Sequence, residues 1–357
     1  MIAPAATTGP PRRVLIVKPS SLGDVVTALP VLRGLRRSFP NTHIAWLVSD
    51  TCAPLIAHDS QLDEVIFFRR RMLGRAWRSP AAARELVRLL RALRRERFDW
   101  VIDLQGLLRS GLLSRRTGAG VRAGFADARE GAPLFYTHRL PPGEGHTVDR
   151  NIALARMLGV DARAEDMTLE LSPAAKKFAE RVLPAEGLPP GGFLACVPPT
   201  TWPTKLYPVR HWRRVVRELK KNIPIVLLGA PSESPLCEAV AEGLGTGVVN
   251  LAGRTTVDEL AGVIAASAGV LCCDSAAKFI APALGVDCVM LVGPTRLERT
   301  GPYLRGRAVV SDVPCQGCLK RRCSHVTCME SIDPAEVISA ADAMLNRRED
   351  SCRSDMP

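Results

Sequence analysis

Short runs of branched apolar residues recur along the chain, each closed by small polar residues and followed by a stretch whose apolar positions repeat every three or four residues. Val14–Val17 predicts a buried strand, and Val25–Ser38, with Val26, Leu29, Leu32 and Leu35 in step, predicts the helix after it. His43–Val48, Glu64–Phe68 and Trp100–Leu104 read as further strands, separated by helical or loop sequence. Strand, helix, strand at this rhythm gives βαβ units and a mostly parallel sheet.

The pattern breaks around Leu171-Ser172-Pro173 and restarts. Phe193–Val197, Pro224–Leu228, Val248–Leu251, Val270–Cys273 and Asp287–Val292 are strand-like, while Val209–Leu219, Leu236–Leu244 and Thr256–Ala266 are helical. The fold class expected is α/β, two Rossmann-like doubly wound lobes at 12–170 and 171–347, with a flexible tail at 1–11 and a disordered one at 348–357. Ligands of such sheets sit beyond the carboxyl ends of the strands, here at the facing edges of the two lobes.

Composition narrows the function. No run of about 18 uncharged apolar residues offers a membrane span, and MIAPAATTGPPRR lacks the layout of a signal peptide. A cytoplasmic location is expected. Eleven cysteines, an odd number without a secretion signal, read as reduced thiols. The net charge of +12 suits a polyanionic partner. Aromatic residues are only 5% of the chain and do not interleave with the basic ones, which argues against a base-stacking platform and hence against nucleic acid.

The first strand releases into Ser20-Ser21-Leu22-Gly23-Asp24. Small residues there, with Gly23 permitting tight backbone geometry, would welcome a phosphate or an acidic group at the start of the next helix. On spacing alone, Ser21 or Asp24 serves equally as a helix cap. The segment KPSSLGDVVTALPVLRGLRRSFP is followed in order by DLQGLLRSGLLSR, HTVDRN, PTTWPTKLYP, LAGRTTVDELAGVIAAS and CDSAAKFIAPALGV...LVGPT. Together these blocks resemble the lipopolysaccharide heptosyltransferases of glycosyltransferase family nine, over about residues 12 to 340.

That resemblance implies a GT-B architecture, with the lobes facing across a cleft, and an inverting enzyme that moves a heptose from ADP-heptose to a lipid A-linked inner-core acceptor. It implies that the enzyme works as a peripheral protein on the cytoplasmic face of the inner membrane. Asp24 matches the proposed general base, whose task is to take the acceptor hydroxyl's proton. Lys205 matches the lysine that neutralises the diphosphate, with Thr200 and Thr201 contacting the same group, and Glu233 matches a ribose-binding glutamate. Asp274-Ser275-Ala276-Ala277-Lys278-Phe279 departs from the family's Asp-Ser/Thr-Gly-x-x-His: Ala276 replaces the glycine and Phe279 the histidine. Lys278 could restore the positive charge from the adjacent position. The departure keeps two alternatives open, another nucleotide sugar and a binding homologue that has lost turnover.

In the first lobe, where the family binds its acidic acceptor, Ser21, Gly23, Gln105 and Arg109 are acceptor candidates. So are Arg69, Arg70 and Arg71, since guanidinium forks suit carboxylates and phosphates. Trp77 beside these arginines is a membrane-interface candidate. The resemblance implies that catalysis requires no metal cofactor. Cys315, Cys318, Cys323 and Cys328, with His325 as a further candidate ligand, suit a structural zinc site as well as they suit four reduced thiols.

Overall fold

The computed structural model describes residues 9–69, 72 and 78–354. The chain divides into two compact units, 1–169 and 170–357. In the first, the strands are β1 Arg13–Val17, β2 His43–Ser49, β3 Glu64–Phe68, β4 Trp100–Asp103, β5 Val121–Phe125 and β6 His138–Leu140. All pair in parallel, in the order β3-β2-β1-β4-β5-β6. The second unit holds β7 Leu194–Val197, β8 Ile225–Leu227, β9 Val248–Asn250, β10 Gly269–Cys273, β11 Cys288–Val292 and β12 Gly306–Val310. Their order, β12-β11-β10-β7-β8-β9, is the same topology read from the other edge, again all parallel.

The sequence explains why the central strands are central. Val14–Val17 in β1 and Val270–Cys273 in β10 have no solvent-exposed surface, as strands covered by helices on both faces require. In each unit the strand order reverses at one place, between β1 and β4 in the first and between β7 and β10 in the second. Loops leave the two strands in opposite directions there and open a crevice at their carboxyl ends.

Several boundaries differ from the sequence expectation. The helix expected at Val25–Ser38 is two helices, Leu22–Val26 and Leu29–Ser38. Pro30, in the first turn of the second, cannot donate into a continuous helix. Thr27 holds the joint: its hydroxyl donates to Asp24 O at 2.9 Å, and Asn151 Nδ2 donates to Thr27 O at 2.9 Å. The final helix, Pro334–Ser354, runs past residue 347, correcting the disordered tail placed at 348–357 as far as Ser354. No proline or glycine interrupts Asn346–Ser354, so nothing local stops it.

Candidate active site

At the first unit's reversal point β1 ends and Lys18 follows. Its side chain is 7% exposed, and its ammonium donates to Leu104 O, just beyond β4, at 2.8 Å. The same nitrogen lies 3.8 Å from Asp24 Oδ1. Asp24 is the third residue of the helix Leu22–Val26, and its Oδ2 accepts from the backbone N–H of Ser21 at 2.9 Å and from its hydroxyl at 2.8 Å. The candidate general base is therefore also the carboxylate that caps this helix. Asp24 remains 42% exposed, so a solvent-borne hydroxyl can reach it while the lysine beneath it stays dry. Gly23 is buried in the first turn of this helix and is not among the glycines with positive φ.

At the end of β4, the buried Asp103 carboxylate accepts from Tyr136 Oη at 2.7 Å and from the N–H groups of Gln105 and Gly106 at 2.9 and 3.2 Å. Burial pushes this carboxyl upward, and those hydrogen bonds offset only part of the effect. Gly106 sits at φ 65°, where a β-carbon is unfavourable. The turn so fixed brings Gln105 Oε1 to 3.4 Å from Ser20 N, across the reversal point. Arg109 is exposed on the next helix, Leu108–Thr117. Arg69 is exposed and lies 3.7 Å from Glu85. Arg70, Arg71 and Trp77 lie outside the described residues.

The second unit repeats the plan with different chemistry. Asp274, first residue after β10, is 3% exposed. Its Oδ2 meets Lys205 Nζ at 2.7 Å and accepts from Thr295 Oγ1 at 2.6 Å, and its other oxygen pairs with Lys278. Thr200, beyond β7, donates to Asp274 O at 2.9 Å and so joins the two strand ends. Burial alone would raise the Asp274 carboxyl, but Lys278 and Lys205 outweigh it and hold it below the usual range. Burial draws Lys205 below the ordinary lysine value, and Lys278 and Arg321 add to that; the attraction of Asp274 opposes without reversing it. The side-chain oxygen of Ser275 is shielded from solvent and has no hydrogen-bond partner among the described residues.

Lys278 is buried and also donates to Thr300 O, so its charge is spent largely on Asp274 and a neighbouring helix end. Phe279 is buried, with the Lys278 ammonium 4.7 Å from its ring centroid. Ala276 immediately precedes the helix Ala277–Ala283, Thr201 is exposed, and Glu233 accepts from Ala230 N at 2.8 Å within its own turn. The four cysteines Cys315, Cys318, Cys323 and Cys328 line one cavity of about 20 Å³ together with His325 and Thr204. Among the described residues no group of three or more His, Cys, Asp or Glu side chains is gathered as a metal-binding set.

Lys18, Thr295 and Trp202, which contact Asp24, Asp274 and Lys205, escaped the sequence reading. Lys18 carried a usable signal, a lone lysine directly after a wholly apolar strand, whose ammonium has to find a carbonyl or carboxylate partner.

The model of glycosyltransferase family 9 (heptosyltransferase) matches residues 86–328. The chain belongs to this family. Lipopolysaccharide heptosyltransferase 1 of Pseudomonas aeruginosa is 30% identical, over 93% of this chain and 98% of its own length. The protein of the same name from Escherichia coli K12 is 30% identical over 83% and 92%. The solved structure of E. coli heptosyltransferase WaaC with ADP has a TM-score of 0.76 at 27% identity, covering 93% of this chain and 99% of that one. This family 9 member is thus a glycosyltransferase, and its two parallel-sheet units are those of the GT-B fold.

Proposed function

We propose that this enzyme transfers heptose from ADP-heptose, with inversion, to an acidic inner-core acceptor linked to lipid A. The observation that carries the reading is the Lys205–Asp274–Lys278 cluster at the second unit's reversal point, with the unpartnered Ser275 hydroxyl beside it. Cations outnumber carboxylates there, and a polar side chain lacks a partner, as an anion-binding position demands. In the reaction, Asp24 takes the proton of the acceptor hydroxyl as its oxygen attacks the anomeric carbon. The carbon–oxygen bond to the diphosphate breaks, and ADP departs with the electron pair. Lys205 meets that charge, so the proposal needs no metal.

No helix among the described residues is long and apolar enough to cross a membrane. We place the enzyme on the cytoplasmic face of the inner membrane as a peripheral protein, held by its lipid-linked acceptor and by attraction of its net positive charge to anionic head groups. The test is calorimetry with ADP, UDP, GDP and their sugar conjugates. ADP and ADP-heptose are expected to bind about tenfold or more tightly than the rest, a difference of about 1.4 kcal/mol. Equal affinity for all would overturn the donor assignment.

The four late cysteines keep both readings that their spacing allows. About one zinc per chain by metal analysis, with four thiols unreactive until a chelator is added, is the outcome for a structural site. Metal-free protein with four freely titrating thiols is the outcome for reduced cysteines.

A further inference from the structure

Resting on the donor reading above, we propose that Arg321, delivered by the cysteine-rich loop, is a second diphosphate-binding cation beside Lys205. Its guanidinium carbon lies 4.5 Å from the centroid of the Trp202 ring, and Lys205 Nζ lies 4.3 Å from the same centroid. Both cations therefore lie against one indole, each attracted to its π-system, and Arg321 is near enough to help lower the Lys205 ammonium. Like charges so placed repel unless an anion lies between them or beside them. Lys205 already has Asp274 at 2.7 Å, whereas Arg321 is exposed and makes no ion pair among the described residues.

Charge counting gives the reason a second cation is needed. Lys205 and Lys278 against Asp274 leave one net positive charge. A nucleoside diphosphate sugar brings roughly two negative charges, and roughly three are present once the sugar has gone. Lys278 cannot make up the difference, because its ammonium is committed to Asp274 and Thr300 O. Phe279, standing where the family pattern has histidine, offers no donor. Arg321 supplies both a charge and a planar fork suited to phosphate oxygens.

The loop is fastened to the strand ends that carry the cluster. Thr204 Oγ1 donates to Lys320 O at 2.8 Å, Leu319 N to Pro294 O at 2.6 Å, and Gln316 Nε2 to Thr295 O at 3.3 Å. Leu319 adopts φ 61°, a backbone conformation that few residues with a side chain take up. The stretch that carries Arg321 is thus tied to Thr204, adjoining Lys205, and to Thr295, which bonds Asp274.

Titrating the full chain with ADP and with inorganic pyrophosphate tests the assignment. Arg321→Gln is expected to weaken both by about 10- to 100-fold, the range of one charge-assisted contact. Arg322→Gln, the same charge change one residue along, is expected to leave both within about twofold of the parent. Unchanged affinity in Arg321→Gln, or equal losses in the two variants, would overturn the proposal. If the parent binds pyrophosphate through Arg321 yet does not prefer ADP, the donor reading fails and the role of Arg321 stands. If the parent binds neither, both fall.

Discussion

Replacing Asp24 with asparagine is expected to lower kcat by about 10²- to 10⁴-fold, the usual contribution of a positioned general base. Affinity for ADP should stay nearly constant. The asparagine keeps an oxygen that can accept from Ser21 N and Oγ, so the helix start survives, but it cannot take a proton. Alanine would remove both functions and add a capping loss of about 1 kcal/mol, which thermal denaturation would register. Lys18→Met is the companion. With the cation 3.8 Å away gone, the carboxylate loses the charge that steadies it, and kcat should fall while ADP affinity is kept. Steady-state kinetics and ADP titration on the parent, Asp24→Asn and Lys18→Met check these expectations. Normal turnover in Asp24→Asn would remove Asp24 from the mechanism.

How far the sequence revealed these residues depended on where each sits in the fold. Central strands were legible because burial on both faces leaves an uninterrupted apolar run, as in Val14–Val17 and Val270–Cys273. Three strands were not, although the edge strands β3 and β9 were: β5, β6 and β12 are largely half-exposed and carry Arg122, Gly124, His138, Arg139 and Arg307, which break the apolar run. The same division holds in the site. Asp274 stands directly after β10, Asp24 in the helix that follows β1 and Lys205 in the turn that follows β7, but spacing there fits a helix cap or a surface lysine equally, and the resemblance marked all three. Lys278 was read as a donor contact from its charge, but the helix turn places it four residues after Asp274, and the two close an i,i+4 pair. Arg321 lies 116 residues from Lys205 in a loop without regular structure, and the folded contacts through Trp202 and Thr204 relate them.

Lys205→Ala is expected to reduce kcat/KM by about 10²- to 10³-fold and to weaken ADP binding, because charge on the leaving diphosphate grows in the transition state and the lysine meets it there. The fold should tolerate the change, since Asp274 keeps Lys278 and Thr295 as partners. Asp274→Ala should behave differently. It strips two largely buried lysines, 12% and 5% exposed, of their shared carboxylate, and a loss of about 3–5 kcal/mol in unfolding free energy is the usual consequence. The Asp274 carboxyl is held below its usual value in the folded chain. The unfolded chain therefore binds the proton first, and the stability from Asp274 is fully present above the ordinary carboxylate value of about 3.9. That contribution disappears as pH falls from there through the lowered folded value. Asp274→Asn should accordingly lose this acid-dependent component, visible as a flatter stability curve below about pH 4. Denaturant titrations across that range separate the two roles: a Lys205→Ala protein as unstable as Asp274→Ala would mean that the lysine is there to hold the fold, and its place in donor binding would be lost.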